Sequence, residues 1–494
     1  MRYRTRPQLW LVCFGVSAAF VALASKCSFL YPFNDWVDAN IFFTMGKGMM
    51  NGRVLYQDLY DHKGPLLYFI HGIAYLISNK SFLGMYLVET VAWTVFLAGA
   101  WHVIRLYVKN AGLWMVPVLC ALLVSSPSFC HGDSAEELVL PLLIWGLYAL
   151  LRYMKEEYPA PMGYGQVFWH GILAGCILCT KFTLLGLYFG WTVWLMVLCF
   201  YQKEWKRGIV TGLAMLAGMA VACVPWLLYF GMHHALADWW TGYIYNNLFL
   251  YAGSGGHSLF HTVRDIVKNV LDTFLENGRY GALTIVGVVW YGLLDRRRKP
   301  AEKAGLWVVC ILTAVGVCIG VKQWQPYYGL TLSVFSCLGL AALIEGVQTW
   351  GVRLKQTKAL FVGCLLAGIC LIYFGGNYSS SLLAKRESLV QYRFAEEMEI
   401  GEDTTLLNFG FLDGGFYTVT GIVPECRYFA RLNLGLAEMS EVQEQYVAEG
   451  RADYVVTREF ELEEHYQEKY RLIAQGEQDY EGIWYPYYLY ERIE

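Results

Sequence analysis

Three short polar segments of this 494-residue chain hold most of the side chains able to do chemistry. Residues 35–63 contain Asp35, Asp38, Asp58, Asp61, His62 and Lys63. Residues 131–137 contain His131, Asp133, Glu136 and Glu137, pressed between two apolar runs. Lys181 falls at a bend between two more apolar runs, and Lys322, Gln323, Gln325, Tyr327 and Tyr328 mark the end of another. A carboxylate within hydrogen-bond reach of a hydroxyl can take its proton, an effect of about 10²–10⁴-fold in rate. A lysine is a compact cation suited to a developing phosphate charge. The His131–Glu137 group has the donor types for a metal or a hydroxylated ligand. Taken singly, each of these residues is equally well read as part of a solvated loop, Lys181 as a snorkelling side chain and the acids near 136 as helix N-terminal charges.

The elements that must position them are membrane helices. Hydrophobic residues make up 56% of the chain and charged residues 16%, against about 25% charged in an average soluble protein. That balance excludes a soluble enzyme and a disordered chain. A net charge of −3 provides no basic field for nucleic acid. The charge is uneven. Residues 384–494 carry 23 of the 41 acidic and 10 of the 38 basic residues, so a basic membrane body precedes an acidic, water-soluble tail. Most of the 14 cysteines lie in apolar runs and act as small hydrophobes. No zinc or disulfide pattern is present, and whether Cys130 and Cys426 pair is left open.

Apolar runs near 9–31, 84–104, 112–128, 135–152, 168–184, 186–201, 209–231, 280–294, 305–322, 328–347 and 358–375 predict eleven crossings. For the first, a cleaved signal peptide competes, because Ala22-Leu23-Ala24 looks like a cleavage site; the run continues past it, which favours an uncleaved helix. Loops rich in Lys and Arg, above all 296–299, are expected inside. The stretch 65–79 is too short to cross and reads as interfacial or re-entrant. The N-terminus is then cytoplasmic, and the outer face holds 32–83, 129–134, 181–185, 232–279, 323–327 and the tail.

The segment DANIFFTMGKGMMNG at 38–52 predicts an amphipathic helix on the outer leaflet, with Ile41, Phe42, Met45, Met49 and Met50 on its apolar face and Asp38 as an N-cap. Rings at Trp239, Trp240, Tyr243, Tyr245, Phe249 and Tyr251 read first as an interfacial belt, and residues 253–256 as a hinge. In the tail, strands are expected at 405–409, 454–457 and 484–490 and helices at 389–398 and 439–449, a small α/β domain.

Four strings carry a family likeness. An aspartate opens a juxtamembrane helix; GRVLYQD follows at 52–58 and YDHKGPLLY at 60–68; DSAEEL at 133–138, Lys181 and QPYY at 325–328 continue it. Over about 1–375 the chain resembles the GT-C fold of multi-spanning glycosyltransferases, in the protein mannosyltransferase and aminoarabinose transferase-like branch. The resemblance implies an α-helical polytopic membrane domain at 1–375 and a small soluble domain at 384–494 on the outer face of the plasma membrane. It implies transfer of a sugar from a polyprenyl-phosphate donor to a hydroxyl of a lipid, cell-envelope glycan or protein, with inversion. Asp38 would be the general base. Lys63, with Lys181 second, would contact the donor phosphate, and Asp35, Asp61, His62, Asp133, Glu136, Glu137, Gln325, Tyr327 and Tyr328 are substrate-binding candidates. Two departures stand out. Ala39 replaces the glutamate that often follows the aspartate, which leaves a divalent cation open, and Gly64-Pro65 replaces Pro-Pro. A flippase or transporter of lipid-linked glycans would instead place charges mid-helix along a path; Glu89 is the main such candidate, near the outer end of its run. A non-catalytic membrane scaffold is the third reading.

Overall fold

Apolar runs set the helices, and capping residues set where they stop. The computed structural model describes residues 7–251, 259–319, 321, 323–350 and 357–493. Lys322, the hinge at 253–256 and the basic residues Arg353 and Lys355 lie outside the described residues. In chain order the helices are α1 Pro7–Ala24, α2 Val37–Met50, α3 Pro65–Ile77, α4 Leu83–Tyr107, α5 Met115–Val124, α6 Ala135–Arg152, α7 Tyr164–Leu178, α8 Gly186–Tyr201, α9 Trp205–Met232 and α10 Leu236–Trp239. There follow α11 Leu259–Glu276, α12 Gly278–Val289, α13 Pro300–Cys318, α14 Ser336–Thr349, α15 Lys358–Gly375, α16 Val390–Glu397, α17 Phe416–Thr420 and α18 Ala437–Ala448.

All eleven anticipated runs contain helix, but among the described residues eight segments are long and apolar enough to cross a bilayer. The other three are shorter. α5 has 10 residues, because Pro127 forces Ser126 into an extended conformation just beyond it. α7 has 15 residues, closed by the extended Lys181. α12 reaches Leu294 only through a wide-turn π segment. α3 has Pro at its first position and 13 residues, about 20 Å of helix, short of a bilayer core of about 30 Å. One face of α3 is exposed and apolar (Phe69, Ile73, Leu76, Ile77).

By contact clustering the described residues divide into two units that are discontinuous in sequence. The first draws on Met1–Ser25, Leu87–Pro225 and Gly255–Ser380, and its described elements are all helices. In it α8 packs on α13, α12 on α14, and α5 on both α1 and α15. The second draws on Lys26–Tyr86, Trp226–Ser254 and Ser381–Glu494. Here α2 packs along α3 so closely that a Cβ on Gly46 would sit 2.4 Å from the Gly72 nitrogen.

Two expectations for α2 are corrected. Ile41, Phe42 and Met45 are buried in protein together with the opposite face, so α2 does not lie with an apolar face on a leaflet. Asp38 is not the N-cap; Trp36 holds that position, its N–H donating to Asn34 Oδ1 at 3.1 Å. Asp38 is the second helical residue, half-buried, where a negative charge complements the helix dipole.

The tail carries the expected small α/β domain around a mixed four-stranded sheet, β1 Leu406–Phe409, β2 Tyr454–Arg458, β3 Tyr470–Tyr480 and β4 Ile483–Arg492, in the order β1-β2-β4-β3. β1 and β2 run parallel, and the other pairs are antiparallel. Leu407, Val447, Val455, Tyr470 and Tyr490 form its core. β3 is the strand the sequence hides. It is a polar edge strand, interrupted by an irregularity at Leu472/Ala474.

Candidate functional site

In the second unit the YDHKGPLLY string folds into a relay. Pro65 starts α3, and side chains in the first helical turn lean back toward the N-terminus. This carries the Tyr68 hydroxyl onto the preceding loop, where it donates to Asp61 Oδ2 at 2.6 Å and accepts the Lys63 backbone N–H at 2.8 Å. Asp61 Oδ1 is 3.2 Å from His62 Nδ1, and the Lys63 ammonium is 2.8 Å from His62 Nε2. Two more groups fix the backbone: Tyr56 donates to the Lys63 carbonyl at 2.6 Å and Asn247 to the His62 carbonyl at 2.5 Å.

The electrostatics assign the protons. Burial pushes Asp61 upward, but the adjacent His62 and Lys63 and the hydrogen bond from Tyr68 outweigh it and hold the carboxyl well below its usual range. Burial, followed by the Lys63 charge, lowers His62, although Asp61 and Asp38 pull the other way. The imidazole is therefore neutral near pH 7, with Nδ1–H toward Asp61 and the Nε2 lone pair toward Lys63. Lys63 is half-buried, its amine directed at the His62 ring. Asp38 is close enough for its charge to act on the His62 ring. Asp35 is engaged with Lys26 at 2.6 Å.

In the first unit the strained turn Cys130–Asp133 opens α6. Cys130, Gly132 and Asp133 all have positive φ (51°, 83° and 63°). A side chain on Gly132 would put its Cβ 2.2 Å from Ser25 Oγ and 2.5 Å from Glu89 Oε1. Ser134 caps α6 by accepting the Glu137 N–H at 3.1 Å, the cap half of an S-x-x-E box. The Asp133 N–H donates to Glu89 Oε1 at 2.9 Å and Glu137 Oε2 at 2.8 Å. Ser25 donates to Glu89, and Trp93 Nε1 donates to Glu137 Oε1 at 2.6 Å. Glu89 and Glu137 are thus acceptors for one turn. Glu136 points elsewhere and takes the Lys181 ammonium at 2.5 Å. That ammonium also lies 4.4 Å from the Tyr328 ring centre and 5.7 Å from Tyr327. Lys181 is a paired cation, not a snorkelling one. Gln325 is half-buried and opens the 3₁₀ segment Pro326–Phe335 that carries both tyrosines. His131 stacks on Tyr378 at 4.3 Å.

Among the described residues no three His, Cys, Asp or Glu side chains are arranged to hold a metal ion, and none of the cysteines, Cys130 and Cys426 included, is in a disulfide. Of the expected aromatic belt, Tyr243 is buried and Trp239 stacks flat on Phe230, while Trp240, Tyr245 and Phe249 are exposed. Asn246 and Asn247 in the same π segment reach Tyr60 and His62, and composition gave no sign of them.

The sequence also missed Lys47. It is fully buried in α2, where its amine donates to the Tyr417 carbonyl at 2.5 Å. One helical turn earlier Thr44 donates to Asp413 at 2.7 Å. Burial lowers Lys47 to about 7 and raises Asp413.

No family model matches the chain, and no curated protein matches it. Among solved structures, ArnT from Cupriavidus metallidurans bound to undecaprenyl phosphate matches with a TM-score of 0.56 at 13% identity, over 91% of this chain and 92% of that one. The apo state of that ArnT matches with the same score and coverage at 12% identity. The likeness is one of fold: a polytopic α-helical membrane protein, GT-C-like, with a small C-terminal sheet domain.

Proposed function

We propose that the chain is a glycosyltransferase that moves a sugar from a polyprenyl-phosphate carrier to a hydroxyl acceptor at the outer face of the membrane, with eleven crossings, the N-terminus inside and the tail outside. The observation that carries this reading is the Asp61–His62–Lys63 relay, placed where Asp38 acts on the same imidazole, in a chain with the fold of a protein crystallised with undecaprenyl phosphate.

The chemistry balances with these groups alone. Asp38 takes the proton of the acceptor hydroxyl as its oxygen attacks the anomeric carbon. The bond from that carbon to the phosphate oxygen breaks on the opposite face, which inverts the centre. Polyprenyl phosphate departs with the bonding pair, and the Lys63 ammonium meets the added negative charge. A retaining route needs a carboxylate nucleophile, and Asp61, the nearby choice, is held by His62 and Tyr68. Lys181 is the second candidate for the phosphate, and Asp133, Glu136, Glu137, Gln325, Tyr327 and Tyr328 are candidates for the substrates.

The test is transfer by purified protein from a panel of polyprenyl-phosphate hexoses and pentoses to lipid, glycan and hydroxylated peptide acceptors. Wild type transfers and Asp38→Asn, correctly folded, loses about 10²–10⁴-fold in kcat. Full transfer by Asp38→Asn removes the base. Movement of intact lipid-linked glycan across vesicles, without a new glycosidic bond, selects the flippase reading.

A further inference from the structure

One helix of the first unit is too charged to cross a bilayer and too apolar to stand in water. α11, Leu259–Glu276, has 18 residues, about 27 Å of helix, and carries Arg264, Asp265, Lys268, Asp272 and Glu276. Five of its apolar side chains, Phe260, Val263, Val267, Leu271 and Leu275, are exposed. They recur every three or four residues and so form a single stripe along the helix.

A different row of α11 faces the protein. Thr273 and Asn277, the residue just past the helix, are buried. Asn277 Oδ1 accepts the Ser128 N–H at 2.8 Å, and its amide donates to the Thr273 carbonyl at 2.9 Å. On this side α11 packs on α12, α13 and the segment Pro326–Phe335. α13 is itself long and apolar enough to cross a bilayer, and it exposes Ile311 and Ile319. The stripe is therefore borne by a helix packed directly on a membrane span. Its charges are sorted. The helical period puts Arg264 and Lys268, four residues apart, one above the other along one border of the stripe. Asp265, Asp272 and Glu276 fall further round, away from it. All five are exposed or half-buried. Arg264 meets Asp265 Oδ1 at 2.9 Å with both side chains about half exposed, a pair of little strength in water.

Apolar, then cationic, then anionic is the order met on leaving a leaflet: acyl chains, headgroup phosphates, water. A protein partner would not require that order. We propose that α11 lies in the plane of the leaflet at the N-terminal end of α12, with its stripe among the acyl chains and Arg264 and Lys268 on the phosphates of anionic phospholipids. The inference needs the multi-spanning membrane fold and does not depend on the transfer chemistry. On its protein side α11 meets Pro326–Phe335, the segment that bears Tyr327 and Tyr328. The leaflet thus braces a helix against which part of the candidate site is built.

Two measurements on the full-length protein test it. The stripe is read in phospholipid nanodiscs by photo-crosslinking from p-benzoylphenylalanine placed at Val267, with the same residue at Glu276 as the water-side control. Phospholipid adducts, seen as added mass on the peptide, are expected from 267 in excess over 276. Equal yields, or adducts from 267 to a second protein chain alone, overturn the leaflet placement. The basic row is read by titrating dioctanoyl phosphatidylglycerol and dioctanoyl phosphatidylcholine onto the protein in detergent, with bound lipid counted by native mass spectrometry. Wild type prefers phosphatidylglycerol. Arg264→Gln and Lys268→Gln each lower that preference about fivefold, the worth of one basic residue at an anionic surface. Lys268→Arg, which keeps the charge, retains it, as does Asp272→Asn on the water side, a pattern that a folding defect does not give. A wild type without the preference, or a preference untouched in both glutamine variants, overturns the headgroup contact.

Discussion

The Lys63 ammonium lies 2.8 Å from Nε2 of His62, and Asp61 faces the other nitrogen of the same ring at 3.2 Å. An imidazole that is neutral and fixed from one side is an acceptor that aims a lysine without cancelling its charge. His62→Ala removes the aim and keeps the cation. Misplacing a binding group by about 1 Å can cost about 10²-fold, and the loss is expected mainly as a higher donor KM in the transfer assay. His62→Gln, whose amide oxygen can accept from Lys63, recovers part of it.

The same ring gives a pH dependence with a defined sign. Burial and Lys63 lower the His62 pKa, so protonation, which sets a second cation against Lys63, is delayed to pH values below about 6.5, the ordinary histidine range. Activity is predicted to hold through pH 7 and to fall only on the acid side of that value. In His62→Gln this limb of the pH profile disappears, and a limb unchanged in the variant assigns the titration to another group.

Lys47 makes the seat of α17 on α2 pH-sensitive. Its folded value is lowered by burial from 10.5 to about 7, so between those two values the unfolded chain binds more protons than the folded one. Stability therefore rises with pH from about 7 toward 10.5. Asp413, raised by burial, works in the opposite sense, its contribution falling as pH rises through its own window. Thermal unfolding in detergent across pH 7–10 reads the slope. Lys47→Met flattens it, and Asp413→Asn leaves it in place.

The parts of this molecule legible in sequence are those where one local property decides. Apolar runs placed the helices, and the shortness of the 65–79 stretch already marked α3 as no crossing. Asp61, His62 and Lys63 stood out as adjacent unlike ionisable groups. What stayed hidden depends on contacts across long separations. Lys47 read as an ordinary polar position, because only the Tyr417 carbonyl 370 residues away accounts for its burial. The N-cap of α2 was misplaced because Trp36, whose ring has no oxygen to offer the first amides, holds the position. β3 was missed because an edge strand needs no apolar alternation on its open side.

Gly132 and Gly52 separate two costs of adding a methyl group. Both have φ near +84° (83° and 84°), which costs an L-residue about 1–2 kcal/mol. Gly52 has open space around its missing Cβ, whereas Gly132 faces Ser25 Oγ at 2.2 Å and Glu89 Oε1 at 2.5 Å. Gly52→Ala is expected to lose only the backbone term in thermal or denaturant unfolding. Gly132→Ala loses about 1–3 kcal/mol more from overpacking, and its effect shrinks when Ser25→Ala or Glu89→Ala opens the space. Equal losses in the two single variants would show that the 130–133 turn is free to shift.

The Glu136–Lys181 pair is the last test of how charge is arranged around a substrate phosphate. Its carboxylate is 1% exposed and its ammonium 16%, so the pair is only weakly screened by water. Lys181→Met leaves a buried carboxylate without its counter-charge and is predicted to destabilise by about 3–5 kcal/mol. Lys181→Met/Glu136→Gln recovers most of that in a double-mutant cycle. Function moves independently of stability. Glu136 holds Lys181, with Tyr328 beneath it at 4.4 Å, and in the proposed reading a donor phosphate competes for the same ammonium. Glu136→Gln weakens the competitor and keeps its shape, so donor KM is expected to fall even though the variant is less stable. A donor KM that is unchanged or higher in Glu136→Gln would make Lys181 a structural partner of α6 and leave the phosphate to Lys63.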